Sequence, residues 1–254
     1  MHIPDGYLGP QTYIPLFVAM VPVWAKASRS LKRTLRARHV PLFAMSAAFS
    51  FIVMLFNVPI PGGTTGHATG AAIVAILLGP WAAILSVSIA LIIQALLFGD
   101  GGITAIGANC FNIAVVIPVA AHLVYRGFAA RATETSFRRV VAGGVAGYVG
   151  INLSALVTAL ELGIQPLIAH SASGQPLYAP FPLSIAVPAM LFGHLILFGV
   201  VEALVTALII LYFQKSDLSM LSLFQASSAR QPSLSRAESV QAELEFKTHD
   251  SCSL

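Results

Sequence analysis

The opening residues, Met-His-Ile-Pro-Asp-Gly-Tyr-Leu, bring three nitrogen donors within reach of one metal ion: the amine of Met1, the main-chain nitrogen of His2 and the His2 imidazole. Amine and amide nitrogens close a five-membered chelate ring. The amide and Nδ1 of His2 close a six-membered one, leaving a single in-plane position for another imidazole. Neutral imidazole is the commonest metal ligand, and His67, in Gly-Gly-Thr-Thr-Gly-His-Ala-Thr-Gly at 62–70, is the candidate to fill it. Gly62, Gly63 and Gly66 let that loop take turns closed to other residues and fold over the N-terminus. An isolated histidine in a loop is ordinarily just a polar loop residue; the donors at His2 are what single out His67. Four nitrogens in a plane suit Ni(II) or Cu(II), with Co(II) a close relative. Thr65, beside His67, and Asn109, which follows Gly-Asp-Gly-Gly-Ile-Thr-Ala-Ile-Gly-Ala, are candidates to orient the ligands without touching the ion.

The remaining reactive side chains have plainer readings. Glu161 and Glu202 fall inside apolar runs, where an ionisable group is costly unless paired or hydrated. For Glu161, near the outer end of its run, solvation and a role in ion entry both stay open. For Glu202, eight residues after His194, a packing or partner contact ranks ahead of a proton site. Gln94, Asn112 and Asn152 read as hydrogen-bonding links between helices, and His122 and His170 as structural. Cys110 and Cys252 are two lone thiols that suggest neither a disulfide nor a thiolate metal site. No phosphate-binding GxxxxGK[ST] loop and no HExxH motif occurs, and no general base stands beside the candidate ligands. The chain therefore reads as a non-enzyme that cannot hydrolyse ATP itself, with no catalytic cofactor.

The elements that must position these residues are apolar helices. With 57% hydrophobic and 9% charged residues in 254, and a mean hydropathy of +0.82, the chain is selected for lipid. An all-α, polytopic membrane bundle of seven hydrophobic helices is expected, at about residues 12–27, 40–58, 69–78, 81–98, 105–126, 138–163 and 185–213. The third is too short to cross alone, and Gly79-Pro80 separates it from the fourth. Gly143, Gly144, Gly147 and Gly150 give the sixth a small surface for close helix packing.

All 14 Lys and Arg residues fall in three groups: Lys26 to Arg38, Arg126 to Arg139, and Lys215 to Lys247. Basic residues accumulate at cytoplasmic span ends. Alternating helices then put the N-terminus and the loops at 59–68, 99–104 and 164–184 outside, so His2 and His67 emerge on one face without any argument from histidine. Residues 1–25 carry no Lys or Arg and include Asp5, unlike a secretory signal, so Met1 is expected to be retained. The metal-capture domain is expected to span 1–213, and 214–254, rich in Ser, Gln, Ala and Glu, to form a largely disordered cytoplasmic tail. The natural surroundings are a bilayer, and no nucleic-acid partner is expected.

Met-His-Ile-Pro-Asp-Gly-Tyr-Leu, the 62–70 loop, Ala-Ile-Leu-Leu-Gly-Pro-Trp-Ala-Ala at 75–83 and Phe-Gly-Asp-Gly-Gly-Ile-Thr-Ala-Ile-Gly-Ala-Asn at 98–109 together closely resemble the substrate-capture membrane subunit of cobalt and nickel energy-coupling-factor (ECF) transporters, the CbiM/NikM family. The resemblance covers about residues 1–213. It implies that the Met1 amine, the amide and side chain of His2 and the side chain of His67 hold the transported Co(II) or Ni(II). It also implies a prokaryotic plasma-membrane location and a supply of cobalt for cobalamin synthesis or nickel for nickel enzymes. The implied partners are a transmembrane coupling subunit, two cytoplasmic ATPase subunits and a small accessory membrane protein. A self-sufficient divalent-cation channel or proton-coupled carrier using Glu161 and Glu202 is the alternative from another class. The choice between cobalt and nickel stays open.

Overall fold

A computed structural model describes residues 1–34 and 40–218, so Arg36, Arg38, Arg230, Arg236, Lys247, Cys252 and most of the expected tail lie outside the described residues. The described chain is almost entirely helical. In chain order the helices are α1 (Pro10–Thr34), α2 (Val40–Met54), α3 (Ala71–Leu78), α4 (Pro80–Ile93), α5 (Ile106–Asn109), α6 (Ile117–Ala129), α7 (Phe137–Gly163), α8 (Gln165–Ile168), α9 (Leu183–Gly193) and α10 (Gly199–Ser216). Wide, π-helical turns extend α4 (Gln94–Phe98), join α5 to α6 (Cys110–Val116) and join α9 to α10 (His194–Phe198).

Four continuous helical stretches are long and apolar enough to cross a membrane: Pro80–Phe98, Ile106–Ala129, Phe137–Ile168 and Leu183–Ser216. They correspond to the expected fourth to seventh helices. The first three fall short for separate reasons. Pro15, Pro22 and the basic residues from Lys26 onward dilute the apolar run of α1, α2 has 15 residues, and α3 has 8. Helix α2 also ends earlier than expected. Pro59 and Pro61 hold the preceding residues extended, and Val58–Pro59 (β1) pairs antiparallel with Thr65–Gly66 (β2), closing the 58–66 turn that carries the 62–66 loop.

The break between α3 and α4 falls where the sequence puts it, with Gly79 at φ 80° and Pro80 opening α4. On α7, a Cβ at Gly143 would lie 2.1 Å from Ile210 Cδ1 and one at Gly147 would lie 3.1 Å from the Glu202 carbonyl oxygen, so these glycines let α10 seat directly on α7. Large apolar side chains such as Leu97, Phe192, Ile196 and Leu208 face outward, as they do where lipid is the surrounding solvent.

Two clusters of buried side chains position the N-terminus. Met1 lies in the main core with Met20, Met54, Val87, Ile113 and Met190. Ile3 and Leu8 pack in a second cluster with Ala105, Ala108, Leu162 and Ala186. The first eight residues are thus a plug set into the helices.

Candidate metal centre

The plug is stitched to three loops by main-chain bonds, which accounts for its extended course. The Met1 amine donates to the carbonyl of Thr65 and, at 3.0 Å, to Thr65 Oγ1; the His2 amide donates to the same hydroxyl at 3.2 Å. Thr64 Oγ1 donates to the His2 carbonyl. Ile3 is held on both sides: its amide donates to Asn109 Oδ1 at 2.8 Å, and its carbonyl accepts from Asn109 Nδ2 at 3.1 Å and Gly102 N at 2.8 Å. Asp5 accepts from Ile103 N at 3.1 Å and from Thr104 N at 2.9 Å. Gln165 accepts from Gly9 N at 2.9 Å, and Tyr7 O accepts from Ala179 N at 3.0 Å. A Cβ at Gly102 would stand 2.4 Å from Asp5 N, so only glycine lets the 99–104 loop lie this close to the plug.

These anchors bring His2 and His67 together, with ring centroids 4.5 Å apart and planes inclined at 34°. Met1, His2 and His67 are at most 2% exposed. His67 Nδ1 lies 3.0 Å from the Ala68 carbonyl, which can only accept; the proton therefore sits on Nδ1 and Nε2 keeps its lone pair. Nε2 of His67 and Nε2 of His2 are buried without hydrogen-bond partners. Among the described residues, no group of three or more His, Cys, Asp or Glu side chains is arranged to hold a metal ion. The nitrogen-rich place in the fold combines two imidazoles with the main chain.

One contact departs from the simplest chelate. His2 Nδ1 faces Asp100 Oδ1 at 2.8 Å, so joining the amide in a six-membered ring requires the imidazole to turn away from that carboxylate. Asp100, which also accepts from Asn57 Nδ2 at 3.1 Å, is the residue that sequence reasoning passes over. Its only signal is its place in the Phe-Gly-Asp-Gly-Gly segment. Thr65 holds the Met1 amine and the His2 amide, whereas Asn109 bonds the backbone of Ile3 rather than an imidazole. His194 is buried beyond the pair, its Nδ1 2.7 Å from Met190 O.

Electrostatics leave the nitrogens neutral. Burial pushes the Met1 amine well below its ordinary value, against the pull of Asp100. Burial likewise lowers His2, with Asp100 opposing, and lowers His67 well below the usual imidazole range, assisted by the nearby amine and by His2. Burial alone would raise Asp100, but His2, the amine and Asn57 outweigh it and hold the carboxyl low. A negative charge, 24% exposed, thus borders a buried set of lone pairs.

Residues 2–220 match the family described as the cobalt uptake substrate-specific transmembrane region, CbiM. The chain belongs to this family. The family is one of multi-pass membrane proteins for metal uptake. The fused nickel transport protein NikMN of Rhodobacter capsulatus is 53% identical over 229 residues, which are 90% of this chain and 66% of that protein. The chain thus spans just under two thirds of that relative's length. A putative metal transport protein of Methanocaldococcus jannaschii is 47% identical over 216 residues, 85% of this chain and 92% of that one. A crystal structure of a transition metal transporter superposes with a TM-score of 0.82 at 51% identity, covering 85% of this chain and 94% of the other.

Proposed function

We propose that this chain is the substrate-specific subunit of an ATP-driven ECF-type importer for Co(II) or Ni(II), and that the Met1 amine, the amide and imidazole of His2 and the imidazole of His67 hold the ion. The observation that carries the proposal is the burial of the Met1 amine on Thr65, beside two neutral imidazoles whose Nε2 atoms have no partner. Buried lone pairs without donors facing them are costly in a folded protein unless a ligand uses them. The amine and imidazole ligands must be unprotonated to bind Ni(II) or Co(II), the state that burial favours here, and the His2 amide gives up its proton on coordination. Asp100 holds the His2 ring and offers a negative charge to an ion entering from the surface. The printed names of the relatives, which mention nickel and metal transport, support the substrate class.

In this reading the N-terminus and the 99–104 loop face outward, the C-terminus faces the cytoplasm, and the basic groups at Lys26 to Arg33, Arg126 to Arg139 and Lys215 mark the inner face. The membrane is a prokaryotic plasma membrane, and seven hydrophobic segments, four of them full spans, cross or enter it. The partners are a transmembrane coupling subunit, two ATPase subunits and a small accessory membrane protein. Their ATP hydrolysis would drive release, and the imported ion would serve cobalamin synthesis or nickel enzymes. His67→Ala should abolish uptake while membrane expression stays intact; retained uptake would refute the assignment. The carrier alternative rests on Glu161, which accepts from Asn112 Nδ2 at 2.6 Å. Metal flux into liposomes holding this chain alone would favour that alternative.

A further inference from the structure

Glu202 is fully buried on α10 and, among the described residues, has no cationic partner. Its carboxylate is instead spent on one stretch of backbone. Oε2 accepts from Thr69 N at 2.6 Å and Gly70 N at 3.0 Å, while Oε1 accepts from Thr69 Oγ1 at 3.2 Å and Ala72 N at 3.5 Å. These donors lie on the two residues just before α3 and on its second residue. The residue before that helix, Gly70, sits at φ 66° and supplies no capping side chain; Thr69 Oγ1 accepts from Ala71 N at 3.1 Å, and Glu202, 132 residues from Gly70 in sequence, fixes the two residues ahead of the helix and reaches Ala72 N.

The capped stretch begins two residues after His67. The other flank of His67 rests on the same final helical stretch: a Cβ at Gly66 would lie 2.0 Å from Phe198 Cε2, so the backbone there is in contact with the Phe198 ring. Phe198 closes the π-helical turn His194–Phe198, and Glu202 follows it by four residues. Both flanks of His67 are therefore set by the stretch Phe198–Glu202, which α7 admits through Gly147.

We infer that Glu202 is a positioning residue for metal capture: it fixes the backbone after His67, and so aims the imidazole toward the Met1 amine, from the last helix of the bundle. The inference rests on the proposed ligand role of His67. It makes metal affinity depend on how α10 is seated, a mechanical link between the metal loop and the helix that leads to the C-terminal segment.

The test uses the purified full chain in lipid nanodiscs, titrated with Ni(II) by calorimetry while the ligand-field absorption of bound Ni(II) is recorded. Glu202→Ala is expected to weaken binding by about tenfold or more and to move the absorption band. Glu202→Gln, whose carbonyl oxygen can still accept from Thr69 N and Gly70 N, should restore most of both. Wild-type affinity and band in Glu202→Ala, with binding lost in His67→Ala, would overturn the inference and leave the ligand assignment standing. Should Glu202→Ala not fold, Glu202→Asp asks the same question by withdrawing the carboxylate one methylene. Weaker binding with a moved band supports the positioning role, and an unchanged pair of readings overturns it. Should the wild type not bind Ni(II), the same titrations and spectra are run with Co(II); absence of binding of both ions by the wild type would overturn the ligand assignment, and this inference with it.

Discussion

Asp100 is the residue whose replacement separates a tuned site from a bare pair of histidines. Asp100→Asn keeps the size and a hydrogen-bonding partner for His2 Nδ1 but removes the charge at 2.8 Å. Metal affinity should fall roughly tenfold because the ion loses a neighbouring negative charge, as read by competition against a chromophoric chelator; unchanged affinity would show that the carboxylate does nothing for the ion. His2 and His67 are legible in the sequence because their side chains are themselves donors, and a histidine at position 2 shares a chelate ring with its own amide. Asp100 is not legible at all, and for Thr65 only the place beside His67 is. Their roles depend on which loop meets the plug, and that is decided by close backbone approaches such as Gly102 against Asp5 N. Asn109 illustrates the limit: its position at the site is readable, but its partner, the backbone of Ile3, is not.

At the scale of elements, the N-terminal plug and the α7–α10 seam are the parts most open to test. Asp5 caps the 103–104 amides, and hydrogen bonds from Thr104 hold its carboxyl below the ordinary value. A lowered carboxyl contributes stability above its unfolded value near 4 and loses it as pH falls through the folded one. The anchor is thus complete between pH 5 and 8, and mutation, not mild acid, removes it. Asp5→Asn should cost about 1 kcal/mol of plug docking, or about fivefold in metal affinity at neutral pH; calorimetry showing no loss would mean that the other anchors suffice. Gly147→Leu should push α10 off α7 and lower thermal stability by about 1–3 kcal/mol in detergent, whereas unaltered melting would contradict the close packing. The seam is readable from the Gly143 and Gly147 spacing. The early end of α2 is readable only once Pro59 and Pro61 are weighed against the apolar run around them.

For the whole molecule, the outward-facing apolar side chains and four helical stretches long and apolar enough to cross a membrane make lipid the solvent, while the Met1, His2 and His67 nitrogens of the candidate site lie buried among the helices. This chain alone in liposomes is expected to bind Ni(II) or Co(II) without accumulating it, and accumulation should require the ATPase-bearing partners; flux of radioactive metal through the chain alone would contradict that division of labour. The most direct test is an anomalous-scattering map, recorded at the metal absorption edge, from crystals of the full chain loaded with Ni(II) or Co(II). The prediction is one peak within bonding distance of the Met1 amine and of a ring nitrogen from each of His2 and His67. A peak on Glu161 or His194 instead, or equal occupancy in a chain extended by residues before Met1, would contradict it.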